Sequence, residues 1–381
     1  MPSQPVIQLS NEDNLRINVL LAQKPQVIRI NESNMTLYSL TVRGEVSIKL
    51  HPTVKDEQYL RWVRELLSMK VTGLPGGYPV FIKRWTRMGH TKNTLEHMLL
   101  LGEPEAIIAA AYSKELSHDI ATRIWWANPS TEIARQLLKH QEIVAGELGI
   151  ELATFLLEFL PFEERQLDVV DTVRLCLQGD LLTQAERLAL WKRAKRKNPY
   201  YIGFIHAPTE LIPEACAATA VYEGLSQKLA PLITQKNPYA VMLLHLQSEQ
   251  GQKWLLTFKH ALRKPVDRDV VVSLFIAVNH FFQLPWAEFR GVREISDAIS
   301  RSIDYCNLST NADIPTEACT LVALLDTQER ERFAASLVLA QLGEDTLIPV
   351  FGGNDSVGSV MRRRMLPVTT PILERIDLLM S

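Results

Sequence analysis

Apolar positions along this chain recur at two spacings, and the change from one to the other divides it. Asn14 to Ala22 carries helical periodicity, and after Lys24-Pro25 the short β-branched run Val27-Ile28-Arg29-Ile30 reads as a strand. Met35 to Val42 and Glu45 to Leu50 are two further extended segments, with Arg43-Gly44 between them as a hairpin turn. A helix leading into a small β-meander is the prediction. From Lys55 the spacing becomes helical, with Tyr59, Leu60, Val63, Leu66 and Leu67 on one face and charged residues between them. The run Gly73-Leu-Pro-Gly-Gly-Tyr-Pro79 is then a loop, because glycine permits backbone angles that other residues avoid and proline removes a donor. It leads into Val80 to Arg87, and a domain boundary is expected near Gly89 to Thr94.

Beyond residue 94 the strand signals nearly vanish and short helical segments follow one another. Glu103-Pro104, Asn128-Pro129, Asn237-Pro238 and Thr370-Pro371 all read as helix starts, with proline where its missing N–H is harmless. Thr183-Gln-Ala-Glu186 has the capping-box pattern. Between Gly102 and Pro161 the spacing predicts helices over Pro104 to Tyr112, His118 to Ala127, Thr131 to His140 and Ile143 to Leu160. Short connections force neighbouring helices to pack antiparallel. The fold class is therefore α+β, mainly α: a small α/β module over residues 1–90, then a long array of short antiparallel helices over 91–381. That array could divide again near 200–235, and it is either HEAT-like or an irregular bundle, because no strict sequence period is visible.

Composition narrows the class further. With 381 residues, 46% hydrophobic, 22% charged and a net charge of −2, the chain has the composition of a folded globular protein. No basic stretch followed by a long apolar run opens it, and the apolar run from Phe155 to Pro161 is interrupted by Glu158, so neither a secretory signal nor a membrane span is expected. Cys176, Cys216, Cys306 and Cys319 are scattered without a Cys-x-x-Cys pair, which suits reduced thiols and a cytoplasmic location.

Candidate chemistry is sparse. No phosphate-binding loop, Gly-x-Ser-x-Gly elbow or His-Glu-x-x-His pair occurs, and Phe351 to Gly358 reads as a late loop. His118-Asp119, with His97 and His140, could in principle supply a metal phosphohydrolase site, but a dipeptide arises easily by chance and Asp119 near a helix start is well explained by the macrodipole. No catalytic residue, cofactor site or metal site is therefore assigned. Two basic segments carry more. Lys83, Arg84, Trp85 and Arg87 interleave cations with an aromatic ring, and Lys192, Arg193, Lys195, Arg196 and Lys197 run into Tyr200 and Tyr201. Cations that meet phosphates beside rings that stack bases are what single-stranded nucleic acid binds. Lysines closing a helix also complement its dipole, so the second run has a purely structural explanation as well. Arg362-Arg363-Arg364 forms a third basic cluster, while Trp125-Trp126 and Phe281-Phe282 fit core or interface positions.

Several blocks carry a family resemblance: Asn11-Glu-Asp-Asn-Leu-Arg-Ile-Asn-Val-Leu-Leu21, Asp56-Glu-Gln-Tyr-Leu-Arg-Trp-Val-Arg-Glu-Leu-Leu67 and Gly76-Gly-Tyr-Pro-Val-Phe-Ile-Lys-Arg-Trp-Thr-Arg-Met-Gly89. Glu158-Phe-Leu-Pro-Phe-Glu-Glu164 and Leu190-Trp-Lys-Arg-Ala-Lys-Arg-Lys-Asn-Pro-Tyr-Tyr201 belong with them. The chain resembles the DsrS proteins, which are encoded with the reverse-acting dissimilatory sulfite reductase genes of sulfur-oxidising bacteria. The resemblance is densest over the first 205 residues. It implies a cytoplasmic accessory or regulatory role in sulfur oxidation, by contact with protein partners of that machinery, and supplies no site residues. RNA binding through the basic segments, as post-transcriptional control, is the alternative.

Overall fold

A computed structural model describes residues 9–74, 76–79, 92–282, 284, 291–308, 314–352 and 358–381. The chain forms two compact units, Met1–Phe159 and Leu160–Ser381. The fold class is the expected one, α+β and mainly α. The boundary expected near Gly89 to Thr94 falls largely outside the described residues, and the first unit extends past it.

The first unit opens with α1 (Asn11–Ala22), then β1 (Val27–Asn31), β2 (Thr36–Thr41) and β3 (Gly44–Lys49), then α2 (Asp56–Thr72). The strands form an antiparallel meander in the order β1-β2-β3, with Ile28 opposite Ser39 and Leu37 opposite Ile48. Strand alternation sends Ile28, Ile30, Leu37, Val46 and Ile48 to one face, where they pack against Ile17 and Leu20 of α1 and Tyr59, Val63 and Leu67 of α2. Gly73 ends α2 in the left-handed region at φ 72°, where a side chain would be strained. The opposite face of the sheet holds Arg29 between two rings, 4.9 Å from the Tyr38 centroid and 4.5 Å from that of Trp126. The Trp126 indole N–H donates to Glu45 Oε2 at 3.0 Å, tying its helix to the sheet.

That helix is α5. Before it come α3 (Lys92–Leu99) and α4 (Pro104–Ala111), and α5 itself is His118–Ala127. After it come α6 (Thr131–Leu137), the single turn α7 (Gln141–Val144) and α8 (Glu147–Phe159). Two expectations need correction here. The helix expected over Ile143 to Leu160 breaks at Ala145-Gly146, and Pro129 stands outside a helix rather than in its first turn. Ser130 supplies the cap instead, its hydroxyl accepting from the Ile133 N–H at 3.3 Å.

The second unit contains α9 (Gln166–Cys176), α10 (Gln184–Ala194), α11 (Asn198–Ile205), α12 (Tyr222–Thr234), α13 (Pro238–Gln247), α14 (Glu249–Arg263) and α15 (Arg268–Phe282). Then follow α16 (Ile295–Cys306), α17 (Thr316–Leu324), α18 (Thr327–Ala340), α19 (Ile348–Phe351) and α20 (Gly358–Met380). Every residue of α11 is buried, and α9, α10, α14 and α15 all pack on it. A helix apolar on all sides belongs at the centre of a bundle, so this unit takes the irregular-bundle form. Gly203 lets α9 approach α11 closely, since a Cβ there would lie 2.6 Å from Val173 Cβ. The capping box at Thr183 and the Asn237 cap form as expected.

Thr370-Pro371 is not a helix start. Pro367 and Pro371 both lie inside α20, whose stripe of Met361, Met365, Val368, Ile372, Ile376 and Leu379 is buried. Proline costs a helix one hydrogen bond and strains it. Six buried side chains at helical spacing outweigh that, and the two prolines stand off the buried stripe.

Candidate interaction surface

The basic run of the second unit closes α10 and opens α11. Lys192 and Arg193 fall in the last turn of α10, where the helix dipole favours cations. Lys195, Arg196 and Lys197 form the turn that follows, and all five cations are exposed. The tyrosines go the other way. Tyr200 is 1% exposed and Tyr201 9%, because α11 is the centre of the bundle. Burial pushes the Tyr200 hydroxyl above its usual pKa, while a hydrogen bond from Arg193 works against the shift. Tyr201 packs edge-on against Trp191 at 5.3 Å and stacks on His260 at 5.5 Å. The sequence suggested that cations and stacking rings act together here, but the fold separates them. The surface offers charge, and neither tyrosine presents a face to a base.

The fold also adds cations that the sequence reading did not single out. The Asn198 side-chain amide donates to the Ala261 carbonyl at 2.9 Å and is buried, so the 195–197 turn is held beside the end of α14. Arg263 and Lys264 are exposed at that end. His260 lies between these cations and a carboxylate: its pKa is below its usual value through burial and then through Arg263, Glu214 works against the shift, and Lys259 and Lys195 add to it. The only signal in the sequence was the spacing of Lys259, Arg263 and Lys264 before Pro265. Arg362, Arg363 and Arg364 are exposed in the second turn of α20. Lys83, Arg84, Trp85 and Arg87 lie outside the described residues.

The remaining candidates are ion-paired, exposed or packed in the core. Asp119 pairs with Arg123 at 2.5 Å, His97 and His118 are exposed, and His140 is pushed below its usual pKa by burial. Among the described residues no three His, Cys, Asp or Glu side chains are placed to hold a metal. The Trp125 indole N–H donates to Glu151 at 2.6 Å, and its ring meets Phe155 edge-on. Phe281 stacks on Trp254 with centroids 3.8 Å apart. A cavity of about 640 Å³ in the first unit is lined by Leu95, Leu116 and Ile120 with Lys139, His140 and Glu142 at its edge. One of about 780 Å³ in the second unit lies between Tyr222, His245 and Lys253. Each mixes both charge signs with apolar walls and marks no particular ligand.

The thiols yield a direct test. Cys176 is fully buried and Cys306 is 4% exposed, and burial pushes both thiols up to about 12. Cys216 and Cys319 are half-buried. Because the thiolate is the reactive form, iodoacetamide is expected to label Cys216 and Cys319 first, with Cys176 and Cys306 protected until the chain unfolds. Peptide mass spectrometry checks the order, and early labelling of Cys176 would contradict the packing of α9.

Among the described residues no single helix is long and apolar enough to cross a membrane. Compared with protein-family models, with characterised proteins and with solved structures, the chain matches none.

Proposed function

We propose that this protein is a non-catalytic accessory component of oxidative sulfur metabolism, acting by contact with a protein partner of the dissimilatory sulfite reductase machinery. The resemblance to the DsrS proteins supports the pathway. The mode of action rests on one observation: the run from Lys192 to Lys197 keeps its five cations at the surface while Tyr200 and Tyr201 are core residues. A charged surface without ring faces suits contact with a complementary acidic protein better than it suits base stacking. Buried thiols at Cys176 and Cys306 agree with a role that carries no sulfur on those residues.

RNA binding is the second reading, favoured by the density of exposed cations alone. The two separate in an affinity capture of the tagged full chain from cells oxidising reduced sulfur, with and without nuclease, at low and moderate salt. Recovery of sulfite reductase components that survives nuclease and moderate salt is the expected result. Recovery of transcripts that disappear as salt rises, with no such component retained, would replace the first reading by the second, because phosphate contacts are steeply salt-dependent.

A further inference from the structure

Three basic segments far apart in the chain lie within about 24 Å of one another along the backbone at one end of the second unit. The first contact joins Asn198 to Ala261, placing Lys195 to Lys197 beside Arg263 and Lys264. The second is a backbone hydrogen bond of 3.3 Å from the Gly358 N–H to the Val266 carbonyl. Helices α14 and α20 run antiparallel between that bond and the bond from the Gln252 side chain to the Leu379 carbonyl at 3.0 Å. Ala261 and Val266 are separated by so few residues that the two contact points stand no more than about 18 Å apart, even with the chain fully extended. Arg362 to Arg364 begin about 6 Å further along α20, at the ordinary helical rise.

These arginines have no local explanation. The negative end of their helix dipole lies at Met380, a far end from which they gain nothing. Among the described residues none of the three joins an ion pair, and all are exposed between the buried Met361 and Met365. Beside them stand Val360, 56% exposed, and Leu366, 55% exposed, with Pro367 also at the surface. A phosphate backbone gives such apolar side chains nothing to bury against. A protein surface does, and arginine among apolar groups is the composition of interface cores.

We infer that this end of the second unit is a docking surface for a protein partner whose complementary face is acidic with exposed apolar side chains. The acidic groups meet Lys195 to Lys197, Arg263, Lys264 and Arg362 to Arg364, and the apolar groups cover Val360 and Leu366. The inference rests on the proposed function only in taking the partner to be a protein.

Its test uses the full chain, a variant with Arg362, Arg363 and Arg364 all changed to Glu, and a second with Val360→Ser and Leu366→Ser. All five positions are exposed, and circular dichroism verifies that the variants fold. Three fluorescent probes are compared: a helical peptide of glutamates with leucines at every fourth position, an oligouridylate of equal charge, and phosphatidylglycerol vesicles. The peptide is expected to bind most tightly, and each variant to weaken it by about tenfold or more. Failure of the wild-type chain to bind the peptide, peptide binding unchanged in either variant, or tighter binding of the oligouridylate or the vesicles would overturn the assignment. Affinity capture keeps the two ideas apart. If the arginine-reversed chain still recovers sulfite reductase components, the docking surface is wrong and the function stands. If the wild-type chain recovers none, the function is wrong, and the peptide comparison alone decides the surface.

Discussion

Changing Gly251 to alanine is expected to destabilise the second unit by about 3 kcal/mol or more, lowering its thermal transition by roughly 6 to 12 °C. Helices α13 and α14 meet at a corner of one residue: Ser248 ends the first and caps the second, its hydroxyl accepting from the Gly251 N–H at 3.2 Å. The corner is further held by the Gln252 side chain, which donates to the Leu246 carbonyl at 2.8 Å. A Cβ on residue 251 would stand 2.1 Å from the His245 carbonyl oxygen and 2.6 Å from Leu246 Cα. Both obstacles are backbone, so no rotamer change relieves them and the corner itself must open.

Two companions make the prediction discriminating. Gly203→Ala also clashes, with Val173 Cβ and Cγ1 both at 2.6 Å, so adding Val173→Ala, which removes only the second of these atoms, is expected to recover only part of the loss. No side-chain trim rescues Gly251→Ala. Gly224→Ala has the opposite sign. Nothing lies within 4 Å of the new methyl group in α12, and replacing glycine in a helix adds about 0.5 to 1 kcal/mol. Calorimetry of the three variants checks the order, and an unshifted transition for Gly251→Ala would show that the corner is not as tight as described.

How much of this was legible beforehand depends on whether a feature is local. The meander followed from β-branched runs and Arg43-Gly44, and α5 and the Thr183 capping box followed from their own residues, because these are decided within one or two turns of chain. Proline was the weak signal. It marked the start of α4 at Pro104 and of α13 at Pro238, yet at Pro371 the burial of a stripe from Met361 to Leu379 overrode it. The basic run was visible as charge, but the fate of its tyrosines was not, because Pro-Tyr-Tyr-Ile-Gly-Phe-Ile reads alike as a surface aromatic patch and as a fully buried helix. The convergence with Arg263 and Arg362 was invisible in principle. It depends on one side-chain amide reaching the Ala261 carbonyl and one backbone bond at Gly358, and no periodicity encodes either.

The first unit rests on a buried carboxylate, and removing it is the second change expected to have a large effect. Asp13 is fully buried in the first turn of α1. It accepts from the Tyr59 hydroxyl of α2, from the His51 backbone N–H at 2.7 Å and from the His51 ring at 3.1 Å, joining both helices to the segment that leaves β3. Burial alone would raise its pKa, but the bonds from Tyr59 and His51 outweigh that and hold the carboxyl below its usual value. Burial pushes Tyr59 up, and its bond to Asp13 adds to the shift, so the hydroxyl keeps the proton it donates. Asp13→Ala leaves that hydroxyl with Ser10 alone, at 3.4 Å, and orphans the His51 N–H. The expected loss is roughly 3 kcal/mol, or about a hundredfold faster hydrogen exchange in β1 to β3 at pH 7. Asp13→Asn keeps the shape but brings an amide donor against the His51 N–H, so it is expected to fall between the two. The pH dependence follows from the sign of the shift. A carboxyl with a lowered folded pKa contributes stability above its unfolded value, near pH 4, and loses it as pH falls through the folded one. Wild-type exchange should therefore move toward that of Asp13→Asn only below about pH 4. If the three chains exchange alike at pH 7, Asp13 does not hold the first unit together.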